Sequence, residues 1–335
     1  MKNSKQIIPV IFFVLCIFFA KESSAQDERF SQPFANILKY NPAAMGLNPD
    51  LKFNLQYRTQ WGSLEKGYTT YAFTTLYPLY LKDGKEKLDI GFTALNDKAG
   101  AFNSLDFSLA VGYNVQLSES GYLNVSLLGG YVQKSLDASG LSFDEQYVLG
   151  TYSASNPNSE TVLNDKVGYA DVGAGIMWYF NPKKDAGAKL NAFIGVSAYH
   201  LNKPNQSLIS GTGALTPRFS FQAGIKILGK NNIDFTPNII VNAQKPAQNS
   251  AAGLIMDYNL NEKMKLVVGA WYRKGDAIAF SLGFEHKTFG LMYSYDVVTD
   301  PINSYVSGLN AHEITLSLKF NQSEKKGATA NSAFF

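Results

Sequence analysis

The stretch Leu105-Asp106-Phe107-Ser108-Leu109-Ala110-Val111-Gly112-Tyr113-Asn114-Val115-Gln116-Leu117 decides the fold. Its odd positions are all apolar and its even positions are all small or polar. Side chains of a strand point alternately to its two faces, so this pattern makes one apolar face and one polar face. At about 3.3 Å per residue the run extends for about 40 Å. Strands of soluble sheets are usually about five or six residues long. A strand of this length, tilted by about 45°, crosses a bilayer with its apolar face on lipid and its polar face on a lumen.

The same rule repeats outward from this run. After the turn Ser118-Glu119-Ser120-Gly121, the apolar face passes to Leu123, Val125, Leu127, Gly129 and Tyr131. Further on, Ala170, Val172, Ala174, Ile176, Trp178 and Phe180 alternate with Asp171, Gly173 and Gly175. Phe219, Phe221, Ile225 and Ile227 alternate with Arg218, Ser220, Gln222 and Lys226. The last two runs place Phe289 to Val297 and Ile314 to Phe320 on the apolar face. Strands are predicted near 51–60, 68–80, 87–96, 104–117, 122–134, 169–180, 189–201, 217–228, 233–243, 252–260, 264–273, 278–286, 288–297 and 312–321. That makes an all-β fold, a transmembrane antiparallel β-barrel of about 14 strands, an even number as single-chain bacterial barrels have.

Gly, Asn, Asp and Ser clusters such as Lys82-Asp83-Gly84, Gly229 to Asn232 and Asn261-Glu262-Lys263 are polar turns. The long connections 135–168, 202–216 and 298–311 are expected on the extracellular side, where barrels of this kind carry their longer loops. The domain reading is a signal peptide over 1–25, an N-terminal segment over 26–50, the barrel over 51–321 and a polar tail over 322–335. Lys2 and Lys5 precede the apolar run Ile7 to Ala20, and Ser23-Ser24-Ala25 supplies a small-residue cleavage site. Beyond that run no window of about 18 apolar residues exists, so no transmembrane helix is expected.

Composition agrees with this reading. Cys16 is the only cysteine and lies in the signal, which excludes disulfides and cysteine-built zinc sites from the rest. Formal net charge is +3, most of it carried by the signal, so nothing points to nucleic acid. The 19 Tyr and 23 Phe suit the aromatic girdles of a membrane barrel.

Catalytic signals are weak. His200, His286 and His312 are the only histidines, and none sits in a metal-ligand or nucleophile motif. Alternation would put Ser197 and His200 on opposite faces. No enzyme activity and no cofactor are expected, and a lumen-edge hydrolase is the disfavoured alternative. Arg58, Asp106, Asp171, Arg218, Asp296 and Glu313, with Lys226, Asp257 and Arg273, fall on the polar faces and are candidates for a lumen network. Trp61, Trp178 and Trp271 are expected as membrane-interface anchors near strand ends.

Segment 26–46 is too polar and irregular to lie in lipid, where unpaired backbone groups are costly. It is read as a plug in the lumen or the periplasmic mouth. Arg29, Phe30, Asn36, Asn41 and Pro42 are the plug or partner candidates, with Arg29, Asn36 and Asn41 bonding to lumen groups. A disordered tether is the alternative.

The same segment carries a family resemblance. Asp27 to Gln32, then Asn36, then Asn41-Pro42-Ala43-Ala44-Met45-Gly46 resembles the opening of the PorP/SprF family of type IX secretion proteins. Met45 departs from the small residue usual there. Tyr57-Arg58-Thr59-Gln60-Trp61 resembles the family's R-x-Q-W strand, and Asn96 to Gly100 its N-D-x-x-G turn. Gly195 to Pro204 resembles its G-x-S-x-x-H-L-x-x-P segment, and Tyr293 to Asp296 and His312-Glu313-Ile314 complete the series. The resemblance covers essentially the whole chain after the signal. It implies an outer-membrane protein that works with type IX secretion components and supports secretion and surface anchoring of a particular exported cargo protein with a C-terminal sorting domain. A large gliding-motility adhesin is such a cargo. The alternative is a transporter for small solutes, either a narrow porin or a FadL-like channel.

Overall fold

In the computed structural model, residues 28–62, 67–81, 86–137, 141, 144–148, 151–153, 155–156, 165–182, 190–208, 213–229, 231–299 and 310–321 are described. The signal segment 1–25, the Lys82-Asp83-Gly84 turn and the tail 322–335 lie outside the described residues. The chain opens with two 3₁₀ helices, Pro33–Lys39 and Pro42–Leu47. Strands follow as β1 (Leu51–Gln60), β2 (Tyr68–Leu81), β3 (Glu86–Ala99), β4 (Phe102–Gln116) and β5 (Gly121–Leu136). A short turn of 3₁₀ helix, Asp144–Gln146, leads into β6 (Tyr147–Val148) and β7 (Thr151–Tyr152). Then come β8 (Lys166–Phe180), β9 (Leu190–Tyr199), β10 (Arg218–Leu228), β11 (Ile233–Gln244) and β12 (Ala247–Asn259). The last four are β13 (Met264–Arg273), β14 (Ala277–His286), β15 (Phe289–Val298) and β16 (Ala311–Phe320).

All of these except β6 and β7 form one closed antiparallel barrel of fourteen strands in sequence order, with β5 beside β8. Closure is made by β1 against β16, from Leu51 opposite Phe320 to Gln60 opposite Ala311. Closure leaves no sheet edge, so the strands pair all the way round the wall, which is what a hydrocarbon solvent demands. The β6–β7 pair is a separate hairpin in the 137–165 connection that alternation did not reveal, since two-residue strands carry no period.

Antiparallel order sorts the connections by rim. The rim where β1 begins and β16 ends carries the short turns before β3, β5, β11, β13 and β15. The opposite rim carries the three long connections, 137–165, 200–217 and 299–310. We call these the terminal rim and the loop rim. Asn231 and Asn232 turn between β10 and β11 with φ of 58° and 63°, a left-handed backbone that Asn tolerates better than branched residues. Asn96 to Ala99, expected as a turn, continue β3, and the chain reverses instead at Gly100, φ 64°, and Ala101.

The outer wall is apolar all round. Leu109, Val111, Val125, Leu127, Ile176, Ile194, Leu282 and Leu316 are exposed on it. Aromatic residues flank this band at both rims: Tyr57, Tyr71, Phe102, Tyr131 and Tyr272 toward the loops, and Tyr113, Trp178, Tyr258, Phe289 and Phe320 toward the termini. Such a band with two girdles is the surface of a barrel that sits in a bilayer.

Candidate functional site: the plugged lumen

Residues 28–50 fill the lumen. The segment enters near the loop rim, where Arg29 Nη1 donates to Asp276 Oδ2 at 3.3 Å in the β13–β14 turn. It leaves at the terminal rim, where Lys87 Nζ donates to the carbonyls of Gly46 (3.0 Å) and Asn48 (2.7 Å). Phe30, Ser31, Gln32, Asn36, Asn41 and Ala43 to Leu47 are all buried along the way. Burial pushes the Arg29 guanidinium below its ordinary pKa, a shift that Asp276 opposes. Burial pushes the Tyr40 phenol above its ordinary pKa.

The upper part is held by charge. The carboxylate of Glu313 on β16 accepts from the backbone N–H of Ser31 at 2.7 Å and of Gln32 at 3.1 Å. Gln56 Nε2 also donates to it, at 3.2 Å. Arg58 on β1 donates to the Ser31 hydroxyl and, at 2.7 Å, to Asp296 on β15. Arg273 on β13 joins the same Asp296 carboxylate at 2.6 Å. A carboxylate bonded by guanidinium groups from two different strands fixes the wall, and one that accepts backbone N–H groups fixes the segment to it. Charged hydrogen bonds of this kind are among the strongest a buried polar interface has.

The lower part is held by shape. Asn41 caps the second 3₁₀ helix by accepting from Ala43 N at 2.9 Å, and Pro42 occupies the first helical position, where its missing N–H costs nothing. The Asn41 amide then donates to the carbonyls of Ile176 and Val196, on adjacent strands β8 and β9. Gly175 and Gly195 make room for it: a Cβ at Gly195 would stand 2.7 Å from Asn41 Nδ2, and one at Gly175 would collide with Asn41 Oδ1. A Cβ at Gly91 would collide with Met45, and one at Gly46 would meet Asn124 at 2.8 Å. Ile37, Leu38, Ala43, Ala44, Met45 and Leu47 pack with Leu76, Ala110, Leu128, Met177, Tyr179, Phe193 and Tyr199 into one apolar core inside the lumen. Ser197 and Tyr199 donate to the carbonyls of Tyr40 (2.7 Å) and Leu38 (2.6 Å).

The charged lumen residues read from the sequence form separate groups, not one network. Arg58, Asp296, Glu313 and Arg273 are together near β1 and β13 to β16. Asp106 pairs with Lys39 of the segment at 2.8 Å, which also meets Glu28. Arg218 donates to the Lys39 carbonyl at 2.7 Å and lies 4.4 Å over the Tyr199 ring. Asp171 is bonded to His200 Nδ1 at 3.0 Å.

Three expectations are corrected here. His200 does not point away from the Ser197 face: its φ of 56° breaks the alternation and turns the ring inward to Asp171. Trp271 is not an interface anchor. It is buried in the lumen against Phe34, ring centres 5.7 Å apart, over the bare Cα of Gly253. Asn36 is fully buried at the kink of the first 3₁₀ helix, yet neither Oδ1 nor Nδ2 finds a partner among the described residues. Trp61 packs against Tyr68 beyond the end of β1, and Trp178 is exposed near the terminal rim. Among the described residues no group of three His, Cys, Asp or Glu side chains could hold a metal ion.

Residues 22–318 match the family described as type IX secretion system membrane protein PorP/SprF. The chain belongs to the PorP/SprF family. It is an outer-membrane β-barrel, and its family is one of type IX secretion. No curated protein matches the sequence significantly. Among solved structures, the barrel of this PorP/SprF protein resembles a TodX monoaromatic hydrocarbon channel mutant, with a TM-score of 0.55, 11% identity, and 84% of this chain and 93% of that one covered. It also resembles a Pseudomonas aeruginosa FadL homologue, with a TM-score of 0.53, 8% identity, and 84% and 92% covered. The Pseudomonas putida toluene transporter TodX gives 0.50 at 11% identity, with 84% and 93% covered. At such identities the likeness is one of fold.

Proposed function

We propose that this PorP/SprF protein supports the secretion and cell-surface anchoring of one particular exported cargo, a protein with a C-terminal sorting domain such as a large gliding-motility adhesin. Residues 1–25 act as its export signal in this reading. The terminal rim faces the periplasm, and the three long connections face outward. The observation that carries the reading is the family match over 22–318 in a chain whose lumen is filled by its own segment. A plugged lumen favours work done at the rims over passage through the middle. Loops on a rigid scaffold are suited to recognition, so the cargo surface is assigned to the loop rim.

Deleting the gene and measuring the proteins on the surface and in the medium tests this. Loss of one surface protein, with other exported proteins unchanged, is the expected result. An unchanged set of exported proteins with reduced uptake of a small solute would replace this reading with the transporter.

A further inference from the structure

The plug does not fill the lumen evenly. Below Gln32 to Ala35, on the side of β12 to β16 and β1, a cavity of about 70 Å³ remains. Its upper wall is apolar, made by Phe34, Ile255, Val267, Trp271 and Met292. At its lower end, toward the terminal rim, stand Lys52, Lys265, Asp257 and Glu285.

The charges at that end form an ordered belt. Asp257 pairs with Lys226 at 2.9 Å and with Lys265 at 3.3 Å. Glu285 pairs with Lys265 at 3.4 Å and with Lys319 at 2.6 Å. Lys52, on β1 next to β16, completes the set. Asp257 and Glu285 thus pair with three of the four ammonium groups. The Lys52 ammonium has neither an ion pair nor a hydrogen bond among the described residues, and the residue is 8% exposed. A buried cation without a partner is a cost to the fold, and most proteins avoid it by pairing or by an apolar replacement. Here it lines a cavity.

We propose that this cavity binds a small organic anion, a short-chain monocarboxylate, with its carboxylate on Lys52 and its apolar body against Phe34, Val267, Trp271 and Met292. The open space, about 70 Å³, limits the body to a few carbons. Lys52 gives the sign of the ligand, since its ammonium has no ion pair or hydrogen bond among the described residues. The apolar wall gives its class, because an inorganic anion would leave that surface without a partner. Ligand pockets commonly have this plan, an apolar lining with a few placed polar groups. The site faces the terminal rim and touches the plug at Phe34, so its occupant also rests on the segment that closes the barrel. It does not depend on the secretion role.

The test uses the full chain folded in detergent, with butyrate as probe, 1-butanol as its neutral counterpart and inorganic phosphate as a competitor. Ligand-observed NMR reads the affinities, and the faster gel migration of unheated barrel reports folding. Saturable butyrate binding is expected, with 1-butanol weaker by about tenfold or more, a difference of about 1.4 kcal/mol. Lys52→Met should lose butyrate by a similar factor and Lys52→Arg should keep it. Val267→Phe, which fills the cavity from its apolar side, should abolish binding with every charge in place. Butyrate binding unchanged by Lys52→Met, its equal displacement by phosphate, or no saturable binding at all would each overturn the proposal.

Discussion

The two halves of the lumen hold the same plug by different means. On the side of β3 to β9 the wall is lined by Gly91, Gly175, Gly195 and Ala110, and residues Asn41 to Leu47 are fitted into the space those absent side chains leave. On the side of β13 to β16 and β1 the wall carries Arg273, Asp296, Glu313 and Arg58, and Ser31 and Gln32 are tied to it by charged hydrogen bonds. Shape complementarity is not directional and tolerates no added volume. A buried charge network is directional and tolerates no lost partner. The plug therefore has two locks that fail to different insults, and the charge-lined half keeps a cavity.

The largest expected effect removes both locks. Deleting residues 28–46 should turn a closed barrel into an open pore, read as conductance across a planar bilayer. A deletion that left conductance unchanged would mean the segment does not close the lumen. Breaking the charge lock alone comes next. Glu313→Ala leaves Arg58 short of one partner and frees the Ser31 and Gln32 amides, at a cost of about 3–5 kcal/mol. Trypsin should then cut at Arg29, while Pro42 to Leu47 stays protected. Breaking the shape lock alone should cost less. Gly195→Leu drives a side chain into Asn41 and Met177 at about 1–3 kcal/mol. It should loosen residues 41–47 and spare the hold on Glu313.

The smallest effect is one of pH. Tyr40 has its pKa raised by burial, and its hydroxyl accepts from the Phe30 amide at 3.3 Å. The released segment would ionise near the ordinary value of 10.0, while the seated one stays neutral. The seated state then holds more protons, so its stability is complete below pH 10 and falls as pH rises beyond it. Protease sensitivity of the plug should be flat from neutral pH to about 10 and rise above. Tyr40→Phe should remove that rise.

Much of the wall was legible in the sequence because period-two alternation is a direct record of lipid on one face. All fourteen barrel strands were placed, most within a few residues of the observed ends. The lumen was read less well. Period-two alternation implies a polar lumen, so inward-facing Leu76, Leu128, Met177, Phe193 and Trp271 do not announce themselves as the seat of a plug. The glycines at 91, 175 and 195 look merely small in a sequence; their use depends on which distant residue approaches them. The polarity and irregularity of segment 26–46 mark the plug, since such a stretch cannot lie in lipid. Nothing local told that Asn41 would also reach two strands more than 130 positions away. His200 was misplaced because alternation assumes extended backbone, and one left-handed residue reverses it.

Hydrogen–deuterium exchange on the full chain, resolved over residues 28–50, tests the central claim most directly. If the segment is a folded part of the barrel, the amides of Ser31, Gln32, Tyr40, Asn41 and Ala43 exchange far more slowly than in an isolated peptide. Each of them has an acceptor in the structure. Exchange across the segment at the rate of an unfolded peptide would make it a tether and contradict the account.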